Sequence, residues 1–483
     1  MSKNKITRRD FLKKSAAAGA GLALSSSMFT KNLFAGKKEV EKKAAVEAGW
    51  QIPRFDGVEI NLSSIGGEMD DFPIRDKEKQ FEEETGMNLN VLDLGFMPYH
   101  DKMVTSLRTG TYAYDVSAIT PMWLAEVITP GYLEDLGSFV ENKDLLFPDT
   151  VEGLDGDFIP AFINYAGWYN PHTQMPGKVS DSKLYLLPGL HAGGSFVAYR
   201  QDTFDKHGIK NPPDTWPEFN RLCKELARPD EDFYGTSITA KADPTLVTMD
   251  FHCRFASQGG KYVTGTLAEK NVRANMYSDE CINAVQWLKD VIPYCPPGIF
   301  AFGGSEGSEP MMAGKVAMYA VITTFGGRFW SPDLSKVADV VKAAELPGVG
   351  EYKGVGLGGG WSWGIPVTAK NKEAGWVAAQ YFSTKAFDKY RTIKYGLAPV
   401  RMSTMADPEV QKAQPWAKEI LPLVNKGNVP EYWYFPEAFE ILDIHMRQTN
   451  IALTGAVPVD RAMKELNDQM NAILKRAGWQ DNL

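Results

Sequence analysis

The sequence predicts an α/β protein built as two lobes, and three observations lead there. Short segments of alternating hydrophobicity take turns with amphipathic segments of helical period, the pattern of βαβ units and mostly parallel sheets. The chain has 483 residues, more than a single hydrophobic core of ordinary size accommodates. No self-similarity recurs at the spacing of roughly 20–50 residues that marks solenoids and propellers.

The first strand is read at 58–62, where Val58, Ile60 and Leu62 alternate with polar neighbours. A turn-rich stretch leads from it to a charged helix that stops at Gly86. Met87, Leu89 and Val91 alternate as a second strand, and Tyr99, Met103 and Leu107 then share a helix face that ends at Gly110. A third strand covers 116–120. Further along, 195–200 and 316–322 read as strands. Thr215-Trp216-Pro217-Glu218 reads as a capping box for a helix that buries Trp216, Phe219, Leu222 and Leu226. Trp361, Trp363, Ile365 and Val367 alternate in another strand. The last helix, 460–476, places Met463, Leu466, Met470, Ile473 and Leu474 on one face.

Net charge is −8, and no basic stripe exists to neutralise a phosphate backbone, which argues against nucleic acid. At the N-terminus, Thr7-Arg8-Arg9-Asp10-Phe11-Leu12-Lys13 precedes a short run of Ala, Gly and Leu at 15–25. Paired arginines before such a run read as a twin-arginine export signal, with an ordinary Sec-type signal as the alternative. Cleavage near Ala35 would leave a polar lead-in, 36–54. No cysteine precedes Cys223, so a soluble periplasmic protein without a lipid anchor is expected. Cys223, Cys253, Cys281 and Cys295 lack metal-site spacing and read as buried thiols.

Gly354, Gly356 and Gly359 match G-x-G-x-x-G, but a strand and Pro366 follow where a dinucleotide site needs a helix. The glycines read instead as a close-approach loop. No Walker motif, HExxH, GxSxG or EF-hand loop occurs, so neither a metal nor a cofactor is expected, and nothing in the spacing selects a catalytic pair.

The order of several segments carries a resemblance. They are Phe81-Glu82-Glu83-Glu84-Thr85-Gly86, Trp123-Leu124-Ala125-Glu126, Gly131-Tyr132-Leu133-Glu134-Asp135-Leu136, Leu184-Tyr185-Leu186-Leu187-Pro188, Pro213-Asp214-Thr215-Trp216-Pro217-Glu218-Phe219, Gly314-Lys315-Val316-Ala317-Met318 and Ala398-Pro399-Val400-Arg401. In this order the chain resembles the family 1 extracellular solute-binding proteins of ABC transporters, the sugar-binding type, over roughly 55–476. The resemblance implies a periplasmic-binding-protein fold with a multi-strand hinge. One lobe would be 55–190 plus 346–398, the other 191–345 plus 399–483, with crossings near 189–193, 344–347 and 397–400. It also implies a monomer that closes on a small ligand and delivers it to permease subunits in the membrane.

A sugar needs flat rings against its C–H faces and polar groups for its hydroxyls. The candidates at strand ends and crossings are Glu68, Asp70, Thr120, Trp123, His191, Asp243, Thr245, Trp361, Ser362, Arg401 and Trp433. For the tryptophans the competing role is packing, and Trp361 and Trp363 cannot be separated by pattern because a strand points both to one side. For Arg401 it is a salt-bridge anchor. The rival readings are a secreted carbohydrate-active enzyme, or a binding protein for a polyol, an organic anion or a polyamine.

Overall fold

The computed structural model describes residues 51–66 and 71–483. The export segment, most of the lead-in, Glu68 and Asp70 lie outside the described residues. In chain order the principal strands are β1 (Glu59–Ile65), β2 (Asn88–Leu94), β3 (Val116–Ile119), β4 (Leu187–Ala192), β5 (Ser195–Arg200), β6 (Tyr234–Thr236), β7 (Val316–Ile322), β8 (Val341–Ala344) and β9 (Gly360–Gly364).

They form two sheets. The first has the order β2-β1-β3-β9-β4 and the second β8-β5-β7-β6. β1 lies parallel to β2 and β3, and β7 parallel to β6. One strand in each sheet runs against the rest: β9 between β3 and β4, and β5 between β8 and β7. The fold is therefore the expected two-lobed α/β arrangement, with each mostly parallel sheet carrying a single reversed strand. β3 is buried on both faces and β7 along nearly its whole length. That is why both read as continuous apolar runs.

The helices follow their local signals. The helix Glu78–Thr85 ends on Gly86, whose φ of 74° suits glycine. Thr215 accepts a bond from the Glu218 amide to open Trp216–Leu226, while the Glu218 carboxylate reaches back to the Asp214 amide at 3.0 Å. Val459–Arg476 buries the five residues its periodicity singled out. It packs with Ala438–Leu453 against Asp279–Val291. All four cysteines are free and buried, and burial raises each thiol pKa.

The chain leaves the first sheet at Gly193, between β4 and β5, and returns between β8 and β9. The third passage falls later than 397–400. Val400 still accepts a bond from Ile159, and the helix Pro408–Ala413 still packs on Lys385–Tyr395. Only the next helix, Trp416–Ile420, lies against β8.

Candidate functional site

A cavity of about 420 Å³ opens between the two sheets, at the low end of the range of about 300–1,000 Å³ usual for small-molecule sites. It sits where β1, β3 and β7 end at their carboxyl termini, the place open α/β sheets present to ligands.

From the first sheet come Ile65 at the end of β1, Phe96 and Met97 after β2, Thr120 and Met122 after β3, and Trp361 on β9. Trp361 leans edge-to-face on Trp123, with ring centroids 5.0 Å apart. Phe96 completes the cluster, 5.3 Å from Trp123 and 6.2 Å from Trp361. Trp123 is itself fully buried, so it holds the two lining rings from behind. Such contacts fix ring orientation at little further entropic cost when ligand arrives.

The β9 strand explains how Trp361 and Trp363 part. Trp361 stands opposite His191 of β4, and the pairing then slips between Trp361 and Ser362. Trp363 is fully buried against Gly189, while Trp361 faces the cavity. Gly360 lets β9 run close to β4: its φ is +147°, and a Cβ there would lie 2.5 Å from the His191 carbonyl oxygen. The other glycines of this loop are close-approach residues, as expected. Gly359 lies against Gly193, Gly358 against Gly427 and Gly356 against Ser195.

The second sheet supplies the opposite wall: Asp243, Thr245, Thr248, Ile322, Thr324 and Phe325. The loop carrying Asp243 is tied down on several sides. The Thr239 amide donates to the buried Asp250 carboxylate at 2.9 Å, Asn450 donates to the Ala240 carbonyl at 2.8 Å, and the Lys241 amide donates to the Phe302 carbonyl at 3.2 Å. Asp243 Oδ1 accepts the Thr245 amide at 2.9 Å. A wide π-helical turn, Leu246–Phe251, then directs Thr248 into the cavity. Such turns are uncommon and recur at functional sites.

Behind this wall lies His252. Its Nδ1 pairs with the Tyr262 hydroxyl at 2.8 Å and its Nε2 with Asn428 Oδ1 at 2.9 Å. Asn428 in turn exchanges backbone bonds with Gly356 and Gly358, the loop that leads into Trp361. Burial lowers the pKa of His252 to about 4 and that of His445, seated against Phe251 and Tyr262, to about 3. Burial pushes Asp250 up to about 6 against the opposing pull of Arg254.

Of the candidates read from sequence, Thr120, His191, Asp243, Thr245, Trp361 and Trp433 meet at this cavity. Trp123 and Ser362 sit behind the lining, fully buried. Arg401 lies elsewhere: its guanidinium pairs with Asp157 at 2.9 Å and donates to the Ser383 and Asp149 carbonyls, so it anchors the fold. Phe96, Thr248, Thr324 and Phe325 went unread, although each follows soon after a strand or a candidate residue, which is the signal that could have found them. Among the described residues, no group of three or more His, Cys, Asp or Glu could hold a metal ion. No helix among them is long and apolar enough to cross a membrane.

A cavity shared by two sheets, with Phe96 and Trp361 on one side and threonine hydroxyls, a carboxylate and Phe325 on the other, is built to hold a small polar solute. The sequence pattern of the bacterial extracellular solute-binding proteins matches residues 68–388, more than half of the chain, and the chain belongs to that family. It is similar to a probable amino-acid ABC transporter periplasmic-binding protein of Sinorhizobium fredii, 23% identical over 90% of this chain and 94% of that protein. It is also similar to a mannitol-binding protein of Pseudomonas aeruginosa, 25% identical over 67% of this chain and 80% of that protein. Among solved structures, an ABC transporter solute-binding protein of Agrobacterium radiobacter K84 in complex with ribitol matches with a TM-score of 0.75. Identity there is 22%, over 87% of this chain and 100% of that one.

Proposed function

We propose that this chain is the extracytoplasmic solute-binding component of an ABC importer and that it captures a polyol or small sugar between its two lobes. The observation that carries the ligand reading is the pairing of the ring wall at Phe96 and Trp361 with the hydroxyl and carboxylate wall at Asp243, Thr245 and Thr248. C–H faces would stack on the first and hydroxyls would bond to the second. The mannitol-binding relative and the ribitol complex support that class. Export by the twin-arginine segment to the periplasm, a monomeric state and delivery to permease subunits complete the reading. The lobes would be 55–190 with 346–398 and 191–345 with 399–483, except that the start of the last segment, through the helix Pro408–Ala413, packs on the first lobe.

Ligand would close the lobes because it touches both walls only in the closed form. The test is a thermal-shift series with D-mannitol, ribitol and maltose, followed by small-angle scattering. A true ligand at a hundred times its Kd stabilises by about 2.7 kcal/mol and shrinks the particle. Absence of any shift with polyols and sugars would remove the ligand class, and a shift at unchanged scattering would remove lobe closure. Ligand recovered chemically unaltered after long incubation separates this reading from that of a carbohydrate-active enzyme.

A further inference from the structure

The charge of the cavity is one-sided. Among the described residues that line it, Asp243 is the one that carries a formal charge as an ordinary side chain at neutral pH, and no lysine or arginine is present. Lys241, two residues earlier, is exposed and does not line the cavity. The Asp243 carboxylate is held in place from its own turn, Oδ1 accepting the Thr245 amide and hydroxyl, and Oδ2 lies beside Gly303.

Phe96, Trp361, Trp433 and Phe325 line the cavity with it. The face of an aromatic ring is electron-rich and attracts cations. A carboxylate in a mostly apolar cavity lined by aromatic side chains gives it a negative potential that water screens poorly.

Given the polyol and sugar reading, on which this rests, we propose that Asp243 makes the cavity a charge filter. It admits neutral polyhydroxylated solutes and those bearing one amino group, and rejects their acids. An ammonium on the ligand would pair with the Asp243 carboxylate and lie among the aromatic side chains that line the cavity. A carboxylate in the same place would meet Asp243 with no basic side chain among the described lining residues to offset it. An amino acid offers both groups, and here its carboxylate would lack a basic partner. That separates this cavity from what an amino-acid site requires.

The experiment is titration calorimetry of the full chain at pH 8. The probes are D-mannitol, its 1-amino-1-deoxy analogue and D-mannonate, each with wild type and with Asp243→Asn. With wild type, the amino analogue is expected to bind within about tenfold of mannitol and mannonate at least about a hundredfold more weakly, the usual scale of a like-charge clash. Asp243→Asn should recover about tenfold or more of the mannonate affinity relative to mannitol and weaken the amino analogue. Mannonate binding as well as mannitol, or discrimination unchanged in Asp243→Asn of unaltered melting temperature, would overturn the filter. Should mannitol itself fail to bind, the polyol reading falls separately. The filter is then judged by a thermal-shift panel of neutral, cationic and anionic solutes: stabilisation by neutral or cationic ones supports it, and stabilisation by an anion or an amino acid overturns it.

Discussion

On the wall supplied by the first sheet, three aromatic rings support one another, and the innermost, Trp123, never reaches the cavity. On the wall supplied by the second sheet, single polar side chains stand on a loop and a π-helical turn, pinned by backbone bonds to Asp250, Asn450 and Phe302. The first wall is held by packing and the second by hydrogen bonds. Packing places a broad, adaptable surface with little directional preference. Hydrogen bonding places individual acceptors at fixed points, and these discriminate between solutes.

Breaking the packed wall has the largest expected effect. Trp123→Ala removes the ring beneath Phe96 and Trp361 and should destabilise the protein by about 3–5 kcal/mol. Denaturant unfolding reads this directly, and a loss below about 1 kcal/mol would show that the cluster collapses onto the gap.

Acidification probes the other wall. The histidines at His252 and His445 stay neutral in the folded protein to pH values of about 4 and 3, while the unfolded chain protonates them near the ordinary 6.5. The unfolded state therefore binds more protons, and stability falls as pH drops through 6.5. Below about pH 6 the buried Asp250 works in the opposite direction, taking a proton in the fold that the unfolded chain takes near 3.8. Of these three groups the two histidines outnumber the aspartate, so together they lower stability as pH falls from 6 towards 4. Melting temperatures across that interval check the sign, and His252→Gln should flatten the profile.

Next in size is Trp361→Ala, which leaves the support intact and removes the stacking face. Affinity for the ligand should fall more than tenfold, at least about 1.4 kcal/mol, with a smaller change in stability. The smallest effect is expected for Thr245→Val, which deletes one hydroxyl from the polar wall and should weaken binding by about 1 kcal/mol. If Thr245→Val proves more costly to binding than Trp361→Ala, the division of labour between the walls is the reverse of the one described.

Periodicity, caps and breakers were enough to define the strands at 195–200 and 316–322, the closing helix with its buried face, and an α/β protein of two lobes, because each depends on neighbours within a few residues. The same local logic flagged Asp243, Thr245 and Trp361, which stand beside strand ends and turn residues. Tertiary structure alone decided which of them meet. Trp361 and Trp363 are equivalent in pattern, and only the packing around β9 sends one to the cavity and the other, against Gly189, to the core. Arg401 could be read equally as a ligand contact or a salt-bridge anchor until the fold brought Asp157 to it from more than two hundred residues away. Backbone preference is a short-range property, whereas the partner of a side chain is set by whichever distant segment packing delivers.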